Sequence, residues 1–132
     1  MTTLVVDTSA AVDLVVIGPR TQRVRARLEQ ADDLVSPDLI GVEVLSALAR
    51  LERGGRLSSE MADAAARLWW GGAVRRLPMG ALDAVAWRLR HRMRIADAYF
   101  VAASVAMGAA LLTCDGRLAR SALAHVPVSL VQ

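Results

Sequence analysis

"ALLTCDGRLAR", residues 110–120, is an apolar run that stops abruptly on Asp115, and "LVVDTSA", residues 4–10, repeats the pattern near the other end of the chain. A short aliphatic run bounded by a helix-start signal reads as a buried strand that hands over to a helix. Both acids therefore stand just past the carboxyl end of a strand. In an open parallel α/β sheet that edge is where ligand clefts form, at the point where strand order reverses. If the two strands are neighbours, Asp7 and Asp115 meet in one cleft.

Working outward, "TLVV" (3–6) reads as the first strand and "TSAAVDLVV" (8–16) as the helix after it, with Thr8 or Ser9 available as N-cap. Pro19 opens a second helix with an Arg-rich exposed side, followed by a strand "DLVSP" (33–37). An apolar helix is expected over 38–53, ended by Gly54 and Gly55, and another over 58–70. The second half continues with a strand "AVRRLPM" (73–79), a helix "ALDAVAWRLRHR" (81–92) and a helix "ADAYFVAASVAM" (96–107). Strand "ALLTC" (110–114), helix "RLARSALA" (117–124) and strand "VPVSLV" (126–131) complete it. Strands separated by helices rather than by two-residue turns predict an α/β fold, a mostly parallel sheet with helices on both faces.

The chain has 132 residues, 55% of them hydrophobic, and shows no linker, repeat or low-complexity segment, so residues 1–132 read as one domain with a sufficient core. Cys114 is the single cysteine, which excludes an internal disulfide and a Cys/His zinc cluster and suits a reducing cytoplasm. Residues 98–114 carry no charge, but a bilayer span needs about 20 apolar residues. This stretch is broken by Gly108 and closed by Asp97 and Asp115, so no membrane segment is expected. The N-terminus, with Asp7 and Asp13 in its apolar part, does not read as a secretion signal.

All sixteen basic residues are Arg. Without a Lys the chain cannot run P-loop chemistry, nor the receiver-type or haloacid-dehalogenase-type aspartyl-phosphate chemistries that rely on one. A formal net charge of +3 and a pI near 10.4 suit a polyanionic partner, because guanidinium forks match phosphate geometry.

Two further acids sit in apolar settings. Glu43 lies about 60° round the helix from Ile40, on the border of the stripe formed by Ile40, Val44, Leu48 and Leu51. Asp97 falls in the first turn of a helix that is apolar nearly all round. Each acid has a plainer role if taken alone. Asp7 and Asp115 can cap helices, Asp97 can favour a helix start through the dipole, and Glu43 can pair with Arg50. Taken together, four carboxylates beside one small core repel unless a cation sits among them. Mg²⁺ or Mn²⁺ suits hard oxygen ligands without His or Cys, and two such ions about 3.5–4 Å apart could align a water with a phosphodiester. The remaining acids, Asp13 and Asp38 among them, read as solvated or capping residues outside this site.

The order and setting of these acids resemble those of PIN-domain ribonucleases, in particular the VapC toxins of bacterial toxin–antitoxin pairs. "VVDTSA" resembles the family's opening strand, "VEVLSALAR" its Glu-bearing helix, "ADAYFVAAS" its Asp-Ala helix and "LLTCDGRLAR" its closing strand and basic tail. The likeness runs from Leu4 to Val131. It implies a PIN-like three-layer sandwich on a five-stranded sheet, with Asp7, Glu43, Asp97 and Asp115 as the metal-binding and catalytic set. Ser9 and Thr113 would orient the carboxylates.

The activity implied is Mg²⁺- or Mn²⁺-dependent endoribonuclease cleavage, held in check by a cognate VapB-type antitoxin. A non-toxin RNA-processing nuclease and a PIN-like module that binds RNA or protein without cleaving are the competing readings. For the RNA backbone the candidates are Arg88, Arg90, Arg92, Arg94 and Arg117, with Arg20, Arg23, Arg25 and Arg27 as a second cluster. A mean hydropathy of +0.37, with Trp69, Trp70, Trp87 and Met61, leaves apolar surface beyond the core. Trp87 is assigned mainly to the core. The resemblance implies that the remainder serves a homodimer contact and a groove for an antitoxin helix, in a heterotetramer or larger assembly.

Overall fold

In the computed structural model, which describes residues 2–132, the sheet is built from five strands: β1 Thr3–Val6, β2 Asp33–Pro37, β3 Arg75–Leu77, β4 Ala110–Thr113 and β5 Val128–Leu130. Their spatial order is β3-β2-β1-β4-β5, and every pairing is parallel. The expected "mostly parallel" sheet is parallel throughout. Val5 lies between Val35 and Leu111, so β1 is central. Strand order runs one way from β1 through β2 to β3 and the other way from β4 to β5, which puts the reversal between β1 and β4.

Leu4, Val5 and Val6 are all buried, as are Leu111, Leu112 and Thr113. Successive side chains on a strand point to opposite faces, so both faces of the sheet are covered. Helices α2 Thr21–Glu29, α3 Ile40–Arg53 and α4 Ser59–Trp70 pack around α1 Thr8–Val15. Helices α5 Asp83–Arg88 and α6 Ile95–Met107 pack on each other, and α6 lies against β1 and β2. Helix α7 Gly116–Ala122 joins β4 to β5. Right-handed crossovers running in opposite directions along the sheet put α1–α4 on one face and α5–α7 on the other.

Three local expectations change. Of the capping candidates for α1, Asp7 is the N-cap and Thr8 and Ser9 are not; its Oδ1 accepts from the Ala10 N–H at 2.9 Å. The second helix starts at Thr21, two residues past Pro19, where the Thr21 hydroxyl accepts from the Gly18 N–H and donates to the Asp13 carbonyl. The helix expected over 81–92 is only α5, preceded by a 3₁₀ turn at Gly80–Leu82 and followed by turns through Met93. Beyond Arg88 the chain offers Leu89 and Met93 as apolar contacts while Arg88 and Arg92 stack like charges at i, i+4, so a longer helix would bury little and repel itself.

Gly108, in the left-handed conformation at φ 59°, ends α6 and turns the chain into β4. Leu111 in the middle of β4 is fully buried and beside Val5. Leu111→Ala is expected to lower the unfolding free energy by about 2–5 kcal/mol, through lost burial and the cavity left behind. Urea denaturation followed by circular dichroism measures it.

Candidate active site

The carboxyl ends of β1 and β4 open into a cleft of about 610 Å³. Asp7, Glu43, Asp97 and Asp115 all line it. They come from four places in the chain: the residue after β1, the first turn of α3, the first turn of α6 and the cap of α7. The reversal of strand order brings the two strand-end acids together, and α3 and α6 close in from opposite faces of the sheet.

Asp7 is the most tightly held. Its Oδ1 accepts from the Ala10 N–H and from the Ser9 hydroxyl at 2.8 Å, and its Oδ2 accepts from the Thr113 hydroxyl at 2.6 Å. Burial pushes its pKa from 3.8 up to about 6, although the bonds from Thr113, Ala10 and Ser9 pull the other way; the nearby Asp115 charge adds to the rise. The Thr113 hydroxyl also accepts from the Asp115 N–H at 2.9 Å, so one residue orients the first acid and fixes the backbone of the last. Ser9 further accepts from the Cys114 N–H, tying the start of α1 to the end of β4.

Asp115 caps α7, its Oδ1 accepting from the Arg117 and Leu118 N–H groups. The capping role and the cleft position therefore coexist. Glu43 Oε1 accepts from the Thr8 hydroxyl at 2.5 Å. Asp97 is met by a fork from Arg94, with Nε 3.3 Å from Oδ2 and Nη2 3.4 Å from Oδ1, and this bond raises the Arg94 pKa further. Arg117 Nη2 stands 3.5 Å from Asp97 Oδ2 and 3.6 Å from Asp115 Oδ2.

As a donor set this cleft fits a hard divalent cation: four carboxylates, no imidazole, and no reactive thiol, since burial pushes the Cys114 thiol up to about 12. Glu43 Oε2 accepts no hydrogen bond among the described residues and is free to ligate. As the side chains stand, however, no three acids among the described residues are drawn close enough to form a ligand cluster. Guanidinium groups lie among them instead.

Of the arginines expected at an RNA backbone, Arg94 and Arg117 are engaged with the acids. Arg88 donates to the Ala84 carbonyl, Arg90 stacks on Trp87 with its guanidinium 4.4 Å from the ring centroid, and neither they nor Arg92 line the cleft. Trp87, assigned mainly to the core, is 61% exposed, and the Arg90 guanidinium stacks on its ring. Asp13, read as a solvated surface acid, lines the cleft and pairs with Arg20 at 2.6 Å. Its spacing of four from Ser9 puts the two on one face of α1, a signal the composition of its neighbours obscured. Thr8 likewise reads locally as a cap, and only the approach of α3 makes it the partner of Glu43.

A family model described as PIN domain matches residues 4–123. The chain is 40% identical over 119 residues to Ribonuclease VapC3 of Mycobacterium tuberculosis, an alignment covering 89% of this chain and 86% of that protein. Among solved structures it resembles PAE2754 of Pyrobaculum aerophilum, with a TM-score of 0.73 at 20% identity over 96% of this chain and 89% of that one. It also resembles VapBC2 of Rickettsia felis, a structure with a DNA fragment from the promoter, with a TM-score of 0.68 at 8% identity over 99% and 100%.

Proposed function

We propose, from the premise that this chain belongs to the PIN-domain family, that it is an endoribonuclease toxin of the VapC kind which hydrolyses RNA phosphodiester bonds in the acid cleft. The observation that carries the reading is the convergence of Asp7, Glu43, Asp97 and Asp115 on one cleft at the reversal of strand order. The whole of residues 1–132 acts as one PIN domain.

These four acids are the catalytic and metal-binding set, and Mg²⁺ or Mn²⁺ bound there would polarise the phosphoryl oxygens and acidify a water. The protein's own part is preorganisation. Ser9, Thr113 and the Ala10 N–H hold Asp7 in one rotamer, Thr8 holds Glu43, and Arg94 holds Asp97. Burial raises the Asp7 carboxyl to about 6 in the ion-free protein, and a bound cation would offset that penalty by favouring its charged form. Arg20 and Arg50 on the cleft wall, with Arg94 and Arg117, set a positive rim for an RNA backbone.

A VapB-type antitoxin is the proposed partner. Val42 and Leu45 on α3, with Met61 and Leu68 on α4, are large, apolar and exposed, and Val42 also lines the cleft. An amphipathic antitoxin segment laid on this surface would end at the acids. Trp87 and Ile95, exposed around α5 and α6, suit the contact of a homodimer. Among the described residues no helix is long and apolar enough to cross a membrane.

The deciding experiment incubates purified protein with total RNA. Cleavage in Mg²⁺ or Mn²⁺ that stops in excess EDTA is expected, and RNA left intact under all divalent conditions would remove the enzyme reading. Sequencing of cut ends after brief induction names the target, and growth arrest relieved by the neighbouring antitoxin gene tests the toxin role.

A further inference from the structure

We infer that Arg117 is a built-in counter-ion that occupies the divalent ion's place between Asp97 and Asp115 and is displaced when the ion enters. The inference rests on the metal reading above and concerns what the cleft does without its ion. A single amino group, Nη2 of Arg117, stands nearly equidistant from Asp97 Oδ2 and Asp115 Oδ2, at 3.5 and 3.6 Å. It is the one guanidinium among the described residues that bridges two of the four acids. Arg94 meets Asp97 alone, and Arg20 is taken up by Asp13.

Nothing in α7 itself calls for a cation here. Arg117 lies in the first turn of the helix, where the peptide dipoles favour anions and disfavour positive charge. The attraction that holds it is that of the two acids. A divalent ion held by Asp97 and Asp115 would draw on the same carboxylates, and sharing them with a guanidinium would bring two cations into repulsion.

The hold is loose enough to release. Both distances exceed those of good charged hydrogen bonds, and the Arg117 side chain is 53% exposed, so the attraction is largely screened by water. Arg117 thus keeps Asp97 and Asp115 from repelling each other while the site is empty, and it moves aside for a doubly charged competitor. Once displaced it stays tethered at the cleft's rim, where a phosphate is its natural partner.

The test measures uptake of Mn²⁺ alone, by calorimetric titration of chelator-treated protein without RNA. Arg117→Gln is expected to bind Mn²⁺ about three- to tenfold more tightly than wild type, the factor set by the loss of two screened ion pairs. Arg117→Lys should return the affinity toward wild type. Arg120→Gln removes the same charge from an exposed position of the same helix and should stay near wild type. If wild type binds Mn²⁺ and Arg117→Gln binds no tighter than Arg120→Gln, the competition is overturned and the metal reading stands. If neither wild type nor Arg117→Gln takes up Mn²⁺, the metal reading itself falls, and this inference with it.

Discussion

Replacing Asp7 with Asn is expected to lower RNA cleavage by at least about 100-fold at saturating Mn²⁺, in the range seen when a positioned acid–base or ion-holding group is lost. The substitution is nearly isosteric and the protein's existing hydrogen bonds can adapt to it. An Asn oxygen can still accept from the Ala10 N–H, and its amide can donate to the Ser9 and Thr113 hydroxyls once these rotate. A loss of activity therefore reports the missing charge and not a missing fold. Asp38→Asn is the matched control: Asp38 is exposed, pairs with Arg76 and does not line the cleft. Initial rates on a short RNA, with melting curves on the same preparations, separate the two. Activity within a few-fold of wild type in Asp7→Asn would remove Asp7 from the site.

The same residue governs a second expected effect, on stability. Its carboxyl is pushed up to about 6 in the folded protein from 3.8, chiefly by burial. The folded state then binds that proton more tightly than the unfolded chain. Its stabilising contribution is fully present below about pH 4 and is lost as pH rises through 6. By 1.36 kcal/mol per tenfold change in proton affinity, the difference between the two limits is roughly 3 kcal/mol. Asp33, lowered by its hydrogen bond to Arg75, works in the opposite sense, only at the acid end and on an exposed pair. Ion-free protein should therefore melt higher near pH 5 than near pH 7.5, by several degrees. Asp7→Asn should flatten that dependence and exceed wild type in stability at pH 7.5, because it no longer buries a charge. A wild-type melting temperature that rises steadily from pH 5 to 7.5 in chelator would contradict this account.

Much of this protein was legible before folding. Runs such as "TLVV" and "ALLT" can only be buried strands or helix fragments, and the helix-start signals that follow them decide for strands. Two acids at the ends of such runs then define the cleft by topology alone. What could not be read depends on reach across space. Arg117 is two residues from Asp115 in sequence, but its link to Asp97 spans 20 positions and exists only because α6 and α7 flank the same sheet edge. Asp13 looked solvated because its neighbours along the chain are ordinary helix residues, whereas its partner Arg20 arrives through the turn at 17–20. Trp87 is large and apolar enough for a core, but the arginines after it cut its helix short and leave one side of the ring to Arg90.

The central place of β1 also has a consequence for synthesis. Thr113, which donates to Asp7, lies 106 residues further along the chain, and β4, which flanks β1, emerges late. Until then the early part of the chain can pair β1 only with β2, on one edge. Contacts this distant in sequence form slowly and close last. Asp7 precedes Thr113 by 106 residues, so the pocket around it can assemble only after β4 has been made. A chain that has β1, β2 and β3 but not yet β4 therefore lacks the hydroxyl that orients Asp7 and the acid that closes the cleft.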